Sequence, residues 1–158
     1  MSLGYWLATT WPKLFGNLSG ATGTQIATYF NTAKNSSGTL KGSLFLHALN
    51  TALDVWVTTS GLGWGTAAQK KGFMQGFGGA GLGSILYNVG NNGAAFGVAN
   101  NTYLTVQAIL DYLNGHTTVT TPGTLTKLPV LVFYGGNTTL MNGANNVLDG
   151  IDNTGDII

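Results

Sequence analysis

The chain has 158 residues, enough for one domain that buries roughly 70% of the surface its unfolded form would expose. Only 7% of the residues are charged, against about 25% in an ordinary soluble domain, yet the hydrophobic fraction is a normal 44%. All five acidic residues are Asp, all six basic residues are Lys, and Glu, Arg and Cys are absent, which excludes thiol nucleophiles and thiolate metal sites and leaves no dense basic patch for nucleic acid.

Met1 to Gly16 carries Trp, Thr and Pro where a secretory signal would have a basic start and an unbroken apolar run. Either a signal lies outside this sequence or the protein is not exported by that route. Thr24 to Lys34 predicts a helix, with Thr24 as its cap and Ile26, Ala27, Tyr29, Phe30 and Ala33 as its apolar positions. Asn35 to Gly38 reads as a turn. From Gly38 to Thr58 the apolar residues Leu40, Leu44, Ala48, Ala52 and Trp56 recur every fourth position, flanked by Phe45, Leu49 and Leu53. One broad apolar stripe of this kind predicts the central helix.

Gly61 to Gly83 is too rich in glycine for a helix interior, where each would cost about 1 kcal/mol, and predicts an irregular loop. Next, Ser84 to Val89 and Ala94 to Val98 flank Gly90-Asn-Asn-Gly93, a β-hairpin pattern spanning 84–98. Asn101 to Asn114 predicts a third helix, capped by Asn101 or Thr102 and stopped by Gly115. Thr117 to Thr126 reads as a Thr-rich loop and Pro129 to Tyr134 as one short extra strand. A last helix, Thr138 to Asn153, carries Leu140, Ala144, Val147, Leu148 and Ile151 on one face. The sum is a single domain over 1–158 of mainly α, α+β class: about four helices packed on one central helix, with a β-hairpin and one short extra strand. The uncharged run from Gly72 to Leu110 is interrupted by Gln and Asn and does not predict a bilayer span.

Few motifs carry chemistry. Gly76 to Gly81 satisfies the dinucleotide glycine pattern, but a hairpin follows where a helix should open, and no acidic residue stands about 20 positions on. No cofactor is expected. His47, beside the central stripe, and His116, past a helix end where a cation suits the dipole, lack recognisable catalytic partners and read as structural. Asp149, Asp152 and Asp156 form a candidate calcium cluster without EF-hand spacing, odd in that carboxylates near a helix C-terminus oppose its dipole. Trp6 and Trp11 are candidate glycan-stacking rings. Asn17, Asn35, Asn100 and Asn137 match the N-glycan acceptor pattern, which chance supplies readily in so Asn- and Thr-rich a chain.

The opening Gly4-Tyr5-Trp6, the segment from His47 to Val55, the stretch from Asn88 to Thr102, Leu104 to Leu110, and the ending from Ala144 to Ile157 together resemble a family of domains found near the C-termini of large, repeat-containing bacterial surface and adhesin-like proteins. That family often continues with Asn or Lys after the Trp, where Leu7, Ala8 and Thr9 stand here. The resemblance implies an extracellular or cell-surface setting and an assembled, multidomain context, with no catalytic residue to carry over. Low charge and a net charge of +1 make self-association inexpensive. The expectation is a noncatalytic extracellular structural or adhesion domain, self-associating or packed on neighbouring domains; the alternative is a carbohydrate-binding module.

Overall fold

The computed structural model describes residues 1–65, 68–69 and 79–154. The helices are α1 (Leu3–Thr10), α2 (Pro12–Phe15), α3 (Gly23–Asn35), α4 (Leu40–Thr58), α5 (Val106–Gly115) and α6 (Thr138–Thr154). Two antiparallel two-stranded sheets accompany them, β1 (Leu86–Asn88) with β2 (Tyr103–Thr105) and β3 (Thr117–Thr121) with β4 (Val130–Phe133). The class is α+β and mainly helical, with more helices than the four read from periodicity. No helix among the described residues is long and apolar enough to cross a membrane.

The two helices that periodicity does not single out lie at the N-terminus. Ser2 caps α1, and Pro12 opens α2 at the first helical position, where its missing N–H costs nothing. The free N–H groups of Lys13 and Leu14 are capped from a distance: the Asn114 side-chain oxygen, on α5, accepts both at 2.9 and 3.1 Å. One turn earlier on α5, Asp111 accepts the Trp11 indole N–H at 2.9 Å and the Gln107 amide at 3.0 Å. α5 thus holds the α1–α2 corner by two polar side chains.

α3 begins two residues earlier than the sequence suggests, because Thr22 and Gln25 form a reciprocal capping box. Thr28, Thr32 and Ser36 each bond back to the carbonyl four residues before, so the hydroxyls of a Thr-rich helix satisfy themselves along its exposed face. α4 is capped by Thr39 and buries Leu44, Phe45, Ala48, Leu49, Ala52 and Val55, the predicted stripe shifted slightly so that Trp56 lies at its edge. α4 packs along α6 on one side and α3 on another, while α5 packs chiefly against α2 and the 3-10 turn Leu82–Ser84.

Two expectations about strands are corrected. β1 does not pair with Ala94 to Val98; its partner is β2, with Leu86 opposite Thr105 and Asn88 opposite Tyr103. The intervening Gly-Asn-Asn-Gly run coils into the 3-10 segment Gly90–Phe96, which drives Ala95 and Phe96 into the core against α6. Side chains fix this wide loop: Asn88 accepts from the Gly90 N–H at 2.8 Å and Asn100 from the Gly93 N–H at 3.1 Å, while Asn101 turns at φ 62°. Because β2 takes Tyr103 to Thr105, α5 starts at Val106 with Thr105 as its cap, not Asn101 or Thr102. The second correction is that the Thr-rich loop contains β3, whose β-branched residues pair with β4 across a bulge between Val119 and Thr121. In the Gly-rich stretch, Ala68 and Gln69 are helical rather than irregular, and Gly76, Phe77 and Gly78 of the dinucleotide pattern lie outside the described residues.

Gly42 sits where α4 enters, and a methyl group there would run into the Ser36 carbonyl oxygen. Gly38, four residues earlier, has open space around it. Urea denaturation is expected to show Gly42→Ala destabilised by about 1–3 kcal/mol, and Gly38→Ala within about 0.5 kcal/mol of the parent.

Candidate functional site

Three of the described ionisable side chains, His47, Asp149 and Asp152, meet at the seam between α4 and α6. Spacing of three and four residues puts Ser43, His47, Asn50 and Thr51 along one side of α4, facing Asn145, Asp149 and Asp152 of α6. Ser43 donates to the Asn145 side-chain oxygen at 3.2 Å. His47 Nδ1 lies 2.7 Å from Asp152 Oδ2, and the Thr51 hydroxyl donates to Asp152 Oδ1 at 2.8 Å. Asn50 supplies a further hydrogen bond to the same carboxylate. On the other side of the imidazole, Nε2 stands 3.5 Å from Asp149 Oδ1.

The two carboxylates differ in environment: the Asp152 side chain is 8% exposed and that of Asp149 is 50% exposed. Burial pushes the Asp152 carboxyl above its ordinary 3.8, opposed by the hydrogen bonds from His47, Thr51 and Asn50. The oddity of acids at the end of α6 thus has a local cause, since donors from the crossing helix replace the lost helix-dipole support. His47 and the C-terminal acids stood out in the sequence, but Thr51, Asn50, Ser43 and Asn145 did not, being ordinary polar residues until the helices cross.

Of the calcium candidates, Asp149 and Asp152 lie on opposite sides of the His47 ring, and Asp156 lies outside the described residues. Among the described residues no three acid or imidazole side chains converge as a metal cage. Nor does the seam form a nucleophile relay: the Thr51 hydroxyl is committed to Asp152, and His47 Nε2 faces a carboxylate.

The glycan candidates require correction. Trp11 is 0% exposed and Trp6 8%, edge-on to each other at 5.1 Å in the core. Buried rings offer no face to a sugar. Trp56, read as a core position, packs partly buried against the core and also lines a groove of about 540 Å³ between α1, α3 and α4, with Leu3, Phe30 and Leu53 as apolar walls and Asn31 and Asn50 as amide groups. His116 is stacked on Tyr112 at 4.0 Å and lies 5.8 Å from the Tyr134 ring. Tyr134 holds φ 53°, and its buried hydroxyl, with its pKa raised by desolvation, donates to the Ala95 carbonyl at 2.6 Å. That cluster ties the wide loop to the end of α5. Of the N-glycan acceptors, the Asn17 amide is engaged, donating to the Tyr29 hydroxyl and the Thr124 carbonyl at 3.2 and 3.0 Å.

No protein-family model matches the chain, and comparison with curated proteins and with solved structures finds no similar one.

The raised Asp152 carboxyl fixes the sign of a pH effect. A folded-state value above the unfolded one contributes stability that is fully present below about pH 4 and is lost as pH rises through the raised value. Asp152→Asn supplies one acceptor and one donor to the same partners without the charge. Urea unfolding at pH 4 and pH 7 is expected to show the variant gaining on the parent as pH rises. Asp152→Ala, which strands the donors, is expected to lose about 1–3 kcal/mol at both.

Proposed function

We propose that the chain is a noncatalytic structural or adhesion domain of an extracellular or cell-surface assembly, and that it self-associates. The observation that carries this reading is the outer face of the β1–β2 sheet. Leu86 and Tyr103 are 59% and 62% exposed there, on a sheet in which each strand pairs on one side only among the described residues. A net charge of +1 gives little repulsion to keep a second copy from that face. The described acids are also consistent with a scaffold, Asp111 and Asp152 both serving as hydrogen-bond acceptors between helices. The resemblance to repeat-containing bacterial surface proteins agrees in setting.

Light scattering over a wide concentration range, with electron microscopy of the most concentrated sample, tests this. Mass is expected to rise with concentration. Replacing Leu86 or Tyr103 by Lys is expected to move the midpoint by about thirtyfold, the equivalent of losing an anchor of about 2 kcal/mol. A parent chain that stays monomeric throughout would overturn self-association.

A second reading has one observation in its favour, the groove beside Trp56. An aromatic ring flanked by amide side chains is the composition of a sugar subsite, and it keeps the carbohydrate-binding alternative with a different Trp. Soluble oligosaccharides are then expected to change tryptophan fluorescence in the parent and not in Trp56→Phe. No change across a broad panel would remove this reading.

A further inference from the structure

The α4–α6 seam contains an arrangement that its scaffold role leaves unexplained. Asp152 lies against His47 Nδ1 at 2.7 Å. A carboxylate can only accept, so this bond places the ring proton on Nδ1 and leaves the Nε2 lone pair pointing away from Asp152. Nε2 itself lies 3.5 Å from Asp149 Oδ1. Two electron-rich atoms facing one another call for a cation between them. A proton on Nε2 is one answer, but charge-assisted hydrogen bonds of this type close to about 2.7–2.9 Å, as the Asp152 side of the ring does. The wider spacing is close to the separation of about 3.3 Å between two ligands that each sit about 2.0–2.1 Å from a tetrahedral ion.

We propose that His47 Nε2 and Asp149 Oδ1 hold a first-row divalent transition ion such as Zn²⁺. Asp152 acts behind them as a positioning residue that fixes the imidazole tautomer and raises its basicity, the carboxylate–histidine–metal arrangement. Asp152 itself is turned from the ion, held by Thr51 and Asn50. The site is open: two ligands come from the chain and water fills the remaining positions. Asp149, half exposed, gives the entry path. An imidazole nitrogen with one carboxylate suits zinc, nickel or copper and not calcium, which takes six or more oxygens. The ion would clip α4 to α6, so it binds the folded state and stabilises it by mass action.

The chain has only two histidines, so His116 serves as an internal control. The test is a Zn²⁺ titration of the full chain, free of any affinity tag, followed through the imidazole nitrogen resonances and the thermal midpoint. The expected result is a shift of His47 Nε2 with the Nδ1 proton retained, no comparable shift of His116, and a rise in the thermal midpoint. Asp152→Asn, whose fold is checked first without metal, is expected to weaken zinc by about 10–100-fold while Nε2 remains the ligand. Asp149→Asn, at a half-exposed position, is expected to weaken it at least as much. Four results would each overturn the proposal: no His47 response at millimolar Zn²⁺, an equal response from His116, an unchanged midpoint of titration in both variants, or the same response to Ca²⁺.

Discussion

A row of rings joins the four N-terminal helices, and the rest of the fold is arranged around it. Trp56 of α4 meets Trp6 of α1 at 5.3 Å, Trp6 meets Trp11 at 5.1 Å, and Trp11 meets Phe15 of α2 at 6.2 Å. Phe15 then meets Phe45, back on α4, at 5.9 Å, and Phe45 meets Tyr29 of α3 at 6.3 Å. All of these pairs but the tilted Trp6–Trp56 contact are edge-on, and such pairs add about 0.5–1.5 kcal/mol each to the burial of large apolar area. They also explain why the polar contacts of α5 fall where they do. Trp11 can be wholly buried only if its indole N–H has an acceptor, and Asp111 provides one.

The same row shows where sequence reasoning loses sight of the fold. α4 and α6 were legible because each repeats its apolar residues often enough to define a face, and α3 because its face is short but clear. α1 and α2 total only a few turns, and Pro12 divides them. Neither is long enough for periodicity, and without a helix to bury them Trp6 and Trp11 read from sequence as candidate stacking rings. β3 escapes the pattern for another reason: Thr117 to Thr121 has one apolar residue, Val119, too few to define an alternation, and its strand character comes from β-branching and from pairing with β4. The Asn-Gly signal within 84–98 predicts a tight hairpin with Ala94 to Val98, whereas the chain reverses over a longer stretch. Asn88, Asn100 and Asn101 use their side chains to close a wider loop, whose partner strand lies beyond the window that a tight hairpin would use.

Low charge is made workable by hydroxyls and amides that bond within the chain. Thr28, Thr32 and Ser36 return to the backbone of α3, Thr58 and Thr59 to the end of α4, and Thr117 to the end of α5. No buried side-chain polar atom among the described residues is left without a partner. A surface built this way stays wet without presenting a strong field, which fits a domain that meets copies or neighbours of its own kind better than one that steers a charged substrate.

Against that background, the seam at His47 is an exception. A buried ionisable group between two helices contributes little stability compared with a well-packed apolar pair, and removing one partner is costly. Only five carboxylates are present in the chain, yet Asp149 and Asp152 are placed on either side of one imidazole. Asparagine at 152 would hold Thr51 and His47 without the desolvation that burial imposes on the carboxylate. Local departures from the cheapest structural solution mark the places where a fold does something besides fold. The negative charge of Asp152 makes physical sense if His47 Nε2 must serve as a donor of electrons, and Asp149 sits at the distance where a second such donor belongs. The candidate ion site therefore rests on the same geometry that makes the seam an expensive way to join α4 to α6, and the zinc titration asks whether that expense has a ligand behind it.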